Sequence, residues 1–274
     1  MFLAVDIGNT QTTLGLIADD ETLLRQWRMA TSRTDTADSL HARLYGYFHM
    51  LGYKLQDIND VAIAGVVPTL TQSWIHLAKE ISGATPLVID ASRDCGIEVA
   101  LPDPNQVGAD RIANAVAAKT SYGAPVIVVD FGTATNIDVV DANGRFRGGA
   151  IMPGLQLSAA ALFERAAKLS NVPLIAPAHA LGNSTETAVQ SGIVIGAAVQ
   201  AEGIVRRIQA ELCAEWSQAH DGATMPRCTI VGTGGLSSVV AEATDIFDVV
   251  DPDITIRGIR QIWLHRAEKR ANRT

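Results

Sequence analysis

Two stretches of the sequence share one layout: "FLAVDIGNTQTTLGLI" at 2–17 and "VIVVDFGTATNIDVV" at 126–140. In each, an apolar run ends in an aspartate, Asp6 or Asp130, which is followed at once by glycine and small polar residues. A carboxylate at the end of a buried strand, before such a turn, can face phosphate oxygens and hold a cation. For either copy alone, an ordinary hairpin turn is the alternative. The repetition favours two turns that face each other across a cleft and clamp phosphate groups.

The segments around these turns predict an α/β fold with a duplicated βββαβαβ order. In the first half, strands are predicted at 2–6, 12–18, 23–29, 61–67 and 86–90, with helices between Leu40 and Leu51 and from Pro68. In the second half, strands are predicted at 125–130, 135–140, 145–151, 228–232 and 246–251, with helices at 156–169, 186–217 and near 236.

Length and the internal repeat predict two domains. A chain of 274 residues is long for one compact core. The boundary is expected near "SYGAP" at 121–125, which gives domains at 1–120 and 121–254. Residues 255–274 are expected to form a last helix and a basic tail.

Composition narrows the function classes. The formal charge is −7, which gives no general attraction to nucleic acid or to an anionic membrane. The sequence shows neither a signal peptide nor a run of about 18 apolar residues, so no membrane span is expected. The three cysteines are odd in number and widely spaced, which predicts neither a disulfide framework nor a zinc site. A reducing cytoplasm is the expected location.

The segment "GADR" at 108–111 opens a predicted helix between the two halves. Arg111 could bind a substrate carboxylate with two hydrogen bonds while Asp110 accepts a hydroxyl proton. Capping of the helix by Asp110, with Arg111 in solvent, is the alternative.

Two further segments are less specific. Ser184 and Thr185 precede the long helix, and either helix capping or ligand contact explains them. The turn "GTGG" at 232–235 lies between a strand and a helix, where it could pack under an adenosine or simply form a tight turn. The small residues of the 186–217 helix favour close packing, within the chain or across a dimer.

Taken together, five segments resemble the type III pantothenate kinases, bacterial enzymes of the acetate and sugar kinase, Hsp70 and actin superfamily. These segments are "DIGNT" at 6–10, "PNQVGADR" at 104–111, "DFGTAT" at 130–135, "STETAVQSG" at 184–192 and "GTGG" at 232–235. The resemblance implies two ribonuclease-H-like (actin-like ATPase) domains with an ATP cleft between them. It also implies phosphorylation of pantothenate at its primary hydroxyl, the first step of coenzyme A biosynthesis, by a homodimer.

The resemblance also implies roles for individual residues. The implied ATP contacts are Asp6, Ile7, Gly8, Asn9, Thr10, Gln11, Thr12, Thr13 and Thr133. The implied pantothenate contacts are Gly108, Ala109, Asp110, Arg111 and Thr185. Asp110 would be the general base, and Arg111 is expected to keep it ionised with modest basicity. Asp130 would ligate a monovalent cation, K⁺ or NH₄⁺, and Asp6 would organise Mg²⁺ through the phosphates or water.

The sequence departs from the family pattern at two places. The family often has a tyrosine shortly before "GADR", whereas "VALPDP" at 99–104 has none, so that substrate contact is missing. Asn136 stands where threonine is frequent, and either side chain can form hydrogen bonds. Two alternatives to pantothenate phosphorylation are another small-molecule kinase of the superfamily and an ATP-binding regulatory protein.

Overall fold

The computed structural model describes residues 1–166 and 171–272. The chain forms two compact units. Unit 1 comprises Met1–Ala117 and Ile254–Thr274, and unit 2 comprises Ala118–Asp253. The division falls inside a helix, a few residues before the boundary expected at 120.

Unit 1 has the predicted order of strands and helices. Its elements are β1 (Phe2–Ile7), β2 (Gln11–Ile17), β3 (Leu23–Ala30), α1 (Ala37–Met50), β4 (Asp60–Gly65), α2 (Pro68–Ser82), β5 (Leu87–Val88), β6 (Glu98–Val99), the start of α3 (Ala109–Tyr122), and α8 (Ile254–Ala271). Short 3-10 turns occur at Leu55–Asp57 and Pro104–Gln106. The fifth strand is shorter than the predicted 86–90.

The unit 1 sheet has the strand order β3-β2-β1-β4-β5. Strand β1 is antiparallel to β2 and parallel to β4. Its odd-numbered residues, such as Leu3 and Val5, pack into a core with Phe48 of α1 and Trp74 of α2. The parallel pairing places the ends of β1 and β4 at one edge of the sheet, where the residues after both strands lie together.

Helix α8 belongs to unit 1, although the sequence analysis set residues 255–274 apart as a helix and tail. It packs where glycines allow a close approach. A Cβ at Gly258 would lie 1.9 Å from the carbonyl oxygen of Ala113, and a Cβ at Gly15 would lie 2.3 Å from Ile256. The Phe2 and Trp263 rings add an aromatic contact at 5.3 Å. The helix therefore covers the side of β1 that α1 and α2 leave open. Tail residues 273 and 274 lie outside the described part.

Unit 2 repeats the arrangement of unit 1. Its elements are the end of α3, β7 (Val126–Phe131), β8 (Ala134–Val140), β9 (Arg145–Pro153), α4 (Leu155–Arg165), α5 (Thr185–Gln190), a π-helical turn (Ser191–Ile195), α6 (Gly196–Ala219), β10 (Thr229–Thr233), α7 (Ser237–Ala241) and β11 (Val249–Val250). Residues 167–169 of the helix predicted at 156–169 lie outside the described residues.

The strands of unit 2 lie in the order β11-β10-β7-β8-β9. Strand β7 is antiparallel to β8 and parallel to β10, as β1 is to β2 and β4. The shared topology confirms the predicted α/β fold of two ribonuclease-H-like domains, each βββαβαβ.

The helical run Thr185–Ala219 is long and apolar enough to cross a membrane, judged by length and composition alone, with a mean hydropathy of 1.4 in its 18-residue window. The sequence-based expectation did not anticipate this segment, because its isoleucine, valine and alanine residues raise the mean hydropathy although polar residues interrupt the run. In the structure Ala198, Ala201 and Val205 pack into the core of unit 2. One buried face of this kind is typical of an amphipathic helix at the surface of a globular domain.

Candidate active site

The first phosphate turn, residues 8–11, connects β1 to β2. Asp6 is half-buried at the end of β1, and the Gly8 N–H donates to the Gln11 carbonyl at 3.0 Å. A Cβ at Gly8 would lie 2.8 Å from that carbonyl oxygen, so a side chain would open the turn. Asn9, Thr10 and Gln11 are exposed. The turn thus presents amide, hydroxyl and backbone groups next to a carboxylate, which suits a phosphate with its cation.

Thr31, the first residue after β3, binds this turn at three points. Its hydroxyl donates to the Gly8 carbonyl at 2.8 Å, and its backbone N–H donates to the Thr10 carbonyl at 2.9 Å. Its hydroxyl oxygen also lies 2.9 Å from that of Thr12. Sequence reasoning missed Thr31. The signal was the strand register, because Gln11 pairs with Ala30 and the next residue must lie beside the turn.

The "GADR" segment lies at the same edge of unit 1 as the first turn. The Val66 N–H, just after β4, donates to the Ile7 carbonyl at 3.1 Å. A Cβ at Gly108 would lie 3.6 Å from Cγ1 of Val66. The structure therefore brings the ATP-contact candidates 6–13 and the pantothenate-contact candidates 108–111 to one edge of the unit 1 sheet.

Asp110 lies in the first turn of α3, and its Oδ1 accepts the backbone N–H of Arg111 at 2.9 Å. The capping alternative is thus partly observed. A Cβ at Gly108 would lie 2.4 Å from the same oxygen, so the glycine leaves room for the carboxylate. Ala109 is buried, whereas Asp110 and Arg111 are half-buried.

Burial raises the pKa of the Asp110 carboxyl above its ordinary value of 3.8, and the Arg111 hydrogen bond and charge oppose this only in part. The expectation that Arg111 would dominate and leave a weakly basic carboxylate was therefore wrong. Desolvation disfavours the charged form more strongly than the neighbouring guanidinium favours it. A carboxylate with a raised pKa is a better proton acceptor.

The second phosphate turn, residues 132–134, connects β7 to β8. The Gly132 N–H donates to the Ala134 carbonyl at 3.1 Å, and Phe131 pairs with Thr135. This turn is one residue shorter than the first, in which Ile7 pairs with Thr12. Asp130 is half-buried at its base, and Thr133 is exposed at its tip.

Two glycines from other segments hold this second turn. A Cβ at Gly154, between β9 and α4, would lie 2.4 Å from the Thr133 carbonyl oxygen. A Cβ at Gly234, in the "GTGG" turn, would lie 2.4 Å from Oδ1 of Asp130. Gly234 also has a φ of +92°, which favours glycine. The "GTGG" segment therefore packs directly against the phosphate turn of unit 2.

Ser184 and Thr185 have different roles. Ser184 caps α5, because its side chain accepts the Thr187 N–H at 3.1 Å and forms a capping box with Thr187. Thr185 instead lines a cavity of about 480 Å³ with five largely apolar neighbours. Those neighbours are Leu162, Ala188, Val189, Gly192 and Ile193.

The potential metal-ligand side chains form no cluster within the described residues, and the cysteines form no disulfide there. Within residues 1–166 and 171–272, no group of three or more His, Cys, Asp or Glu side chains could hold a metal ion. All three cysteines are free, with Cys95 and Cys228 buried and Cys213 exposed.

The family profile and the curated relatives agree on one family. A sequence profile described as type III pantothenate kinase matches residues 2–207. The type III pantothenate kinase of Thermomicrobium roseum is 40% identical over 97% of this chain and 99% of its own length. The type III pantothenate kinase of Moorella thermoacetica is 40% identical over 96% of this chain and 98% of its own length.

A solved structure supports the fold. A Campylobacter jejuni protein described as a Baf family transcriptional activator has a TM-score of 0.56 and 20% identity, and the match covers 97% of this chain and 99% of that chain. Likeness at this identity concerns the fold alone. The profile, which matches residues 2–207, and the two bacterial relatives, which match almost from end to end, show that this chain belongs to the type III pantothenate kinase family.

Proposed function

We propose that this chain transfers the γ-phosphate of ATP to the primary hydroxyl of pantothenate, giving 4'-phosphopantothenate in the first step of coenzyme A biosynthesis. Membership of the type III pantothenate kinase family supports the reaction. The observation that carries the chemical assignment is Asp110, a carboxylate with a raised pKa beside Arg111. It lies at the same edge of the unit 1 sheet as the first phosphate turn.

Asp110 acts as the general base in this proposal. The pantothenate oxygen forms a bond to the γ-phosphorus, the bond from phosphorus to the ADP oxygen breaks, and the hydroxyl proton passes to the Asp110 carboxylate. Arg111 holds the substrate carboxylate through its guanidinium. Proton removal can come late, because positioning and charge stabilisation dominate phosphoryl transfer.

Three more residues are proposed to contact pantothenate. Gly108 and Ala109 supply backbone beside Asp110, and Thr185 supplies a hydroxyl. The largely apolar cavity beside Thr185 suits the two methyl groups of the pantoyl part.

Residues 6–13, which include the first turn, and Thr133 are proposed to contact ATP. Mg²⁺ accompanies the nucleotide, and Asp6 holds it through water or the phosphates. A single carboxylate fits this ion, which keeps several waters and binds substrate phosphates besides one or two protein oxygens. When bound, the ion disperses negative charge on the phosphates.

Asp130 is proposed to ligate a monovalent cation, K⁺ or NH₄⁺. The support is the half-buried carboxylate at the end of β7, at the base of the second turn, with Gly234 packed against its Oδ1. Without a cation, this carboxylate would repel the phosphates that Thr133 contacts.

We also propose that the enzyme is a cytoplasmic homodimer. Large apolar side chains of unit 2 remain exposed, among them Ile151, Leu157, Leu181 and Val199. A Cβ at Gly196 or Gly203 would meet no atom of another segment within 4 Å in the described part of the chain, so these two glycines leave room for a second copy. Three free cysteines suit a reducing cytoplasm.

The experiment that tests the function measures ATP turnover with and without pantothenate, first in sodium and then in potassium or ammonium. Turnover is expected only with pantothenate and to rise with the second cation. Asp130→Asn should lose the cation response. Pantothenate-independent turnover, or a higher rate with a sugar or acetate, would point to another kinase of the superfamily. Nucleotide binding without any acceptor would point to a regulatory protein.

A further inference from the structure

The hydroxyl of Thr31 takes part in a directed chain of hydrogen bonds. A carbonyl can only accept, so the single Thr31 hydroxyl proton goes to the Gly8 carbonyl at 2.8 Å. In the contact between the Thr12 and Thr31 hydroxyls, at 2.9 Å, Thr12 must therefore donate. Thr12 is fully buried, so these linked hydrogen bonds lie in a low-dielectric setting, where successive hydrogen bonds strengthen each other.

These contacts fix the direction of the carbonyl groups in the first turn. The carbonyls of Gly8 and Thr10 both accept from Thr31, and that of Gln11 accepts from the Gly8 N–H. In a planar trans peptide the N–H points opposite to the C=O. The N–H groups of Asn9 and Gln11 therefore point away from Thr31. The carbonyl oxygens of Gly8, Thr10 and Gln11, which would repel phosphate oxygens, are engaged within the protein.

We infer that Thr31 is a positioning residue of the ATP site: its hydroxyl and backbone N–H hold the Gly8 and Thr10 carbonyls of the 8–11 turn away from the phosphates, so that the N–H groups of Asn9 and Gln11 are available to them. It acts through the turn and does not itself touch the nucleotide. The inference rests on the proposed ATP role of this turn.

The test compares Thr31→Val, which keeps the shape and removes the hydroxyl, with Thr31→Ser, which restores it. Thr34→Val is the matched control, because the exposed Thr34 lies in the same loop and its hydroxyl contacts Ser32 instead of the turn. For each variant, the dissociation constant of a non-hydrolysable ATP analogue is measured by calorimetry, and KM for both substrates and kcat by kinetics.

Thr31→Val should raise the ATP-analogue dissociation constant and the KM for ATP about 5- to 10-fold, as expected for one lost hydrogen bond. The KM for pantothenate should stay within about twofold of wild type, the precision of such a comparison. Thr31→Ser should recover most of the affinity, and Thr34→Val should match wild type. If Thr31→Val does not fold, as judged by circular dichroism, Thr31→Ala takes its place.

Three results would overturn the inference. They are an unchanged ATP affinity in the folded valine or alanine variant, no recovery with serine, and an equal rise of both KM values, which would indicate a general structural effect. Failure of the proposed function is a distinct outcome, because wild type itself would then neither bind the ATP analogue nor phosphorylate pantothenate.

Discussion

At the scale of single residues, stability and function make opposite demands on Asp110. Its carboxyl is held where burial disfavours the charge that a general base needs. The charge of Arg111 and the hydrogen bond from its backbone N–H offset part of the free-energy cost of burying this carboxylate. A site with this balance gains basicity at the expense of folding free energy, as functional residues commonly do.

Asp110→Asn should lower kcat by about 10² to 10⁴ and leave ATP binding nearly unchanged, because only proton acceptance is lost. Arg111→Ala should act mainly on the KM for pantothenate. Steady-state kinetics check both, with Asp103→Asn as the control, since Asp103 is an exposed carboxylate in the preceding loop. Retention of more than about a tenth of wild-type kcat in Asp110→Asn would mean that the carboxylate only stabilises the helix.

The raised pKa of Asp110 also predicts the pH dependence. The carboxylate must be ionised to accept a proton, so kcat/KM should rise with pH through a value above 3.8. Arg111→Ala removes a charge that lowers this pKa, so the acid limb should move to higher pH. An acid limb that stays in place would show that another group controls it.

The same shift predicts an unusual effect on stability. A carboxyl whose pKa is raised on folding favours the native state below its unfolded pKa and loses that contribution as pH rises through the native pKa. The Tm of Asp110→Asn should therefore be equal to or above that of wild type at pH 7.5, and any difference in Tm should vanish near about pH 4.

Asp141 provides the opposite case. Burial would raise its pKa, but hydrogen bonds from Arg145 and Arg147 outweigh burial and lower it. Asp141→Asn should therefore lose a few degrees in Tm at pH 7.5. Calorimetric scans of Asp110→Asn, Asp141→Asn and wild type between about pH 4 and pH 7.5 compare their Tm values. A lower Tm for Asp110→Asn at pH 7.5 would contradict the argument.

At the scale of elements, the two phosphate turns differ although the units share one topology. The first turn is held by hydrogen bonds from the hydroxyl and backbone N–H of Thr31, whereas the second is held by a backbone hydrogen bond from the Gly154 N–H to the Thr133 carbonyl, at 3.2 Å, and by close contacts with Gly154 and Gly234. The second is also one residue shorter. Duplication thus kept the position of the aspartate but not the means of fixing the turn beside it.

Gly234→Ala should disturb Asp130. The added Cβ would meet Oδ1 at 2.4 Å in a backbone conformation that disfavours alanine, at a cost of about 1–3 kcal/mol. We expect a lower Tm and a higher potassium concentration for half-maximal activity. Gly235→Ala is the matched control, since its Cβ would meet no atom within 4 Å. A lower Tm with an unchanged potassium response would mean that Gly234 serves the backbone alone.

The sequence predicted the elements better than the contacts between them. Period-two and helical patterns predicted the strand and helix order, and the repeated aspartates predicted both turns. Thr31 was missed because its role depends on strand register, and the pKa of Asp110 because burial cannot be read from neighbours in sequence. The position of α8 was also missed, since Gly258 reveals its contact only once α3 is in place.

At the scale of the whole molecule, the apolar side chains left exposed on unit 2 are the feature that a single chain does not explain. Val189, near the start of the long helical run, is buried within unit 2 and needs no cover from a partner. Val199, ten residues further along the same helical run, is 59% exposed. The case for a second copy thus rests on the outer side of that run and on its exposed apolar neighbours.

Val199→Lys should convert the proposed homodimer into monomer, because a charge in an apolar interface is costly to desolvate. Met50→Lys is the control, since Met50 is 77% exposed on α1 of unit 1. Light scattering at working enzyme concentrations shows whether wild type and each variant are dimers or monomers. A monomeric wild type, or loss of the dimer in Met50→Lys alone, would contradict the proposed surface.

The different supports of the two phosphate turns have a consequence for laboratory evolution of this enzyme. A turn held by hydroxyl groups can be adjusted in steps, because serine, cysteine or a repositioned neighbour can take over part of the bonding. A turn packed directly against two glycines has no intermediate, because the smallest side chain at Gly154 or Gly234 already collides with it. Libraries that aim at a new phosphate donor should therefore vary Thr31 and its neighbours and keep both glycines fixed.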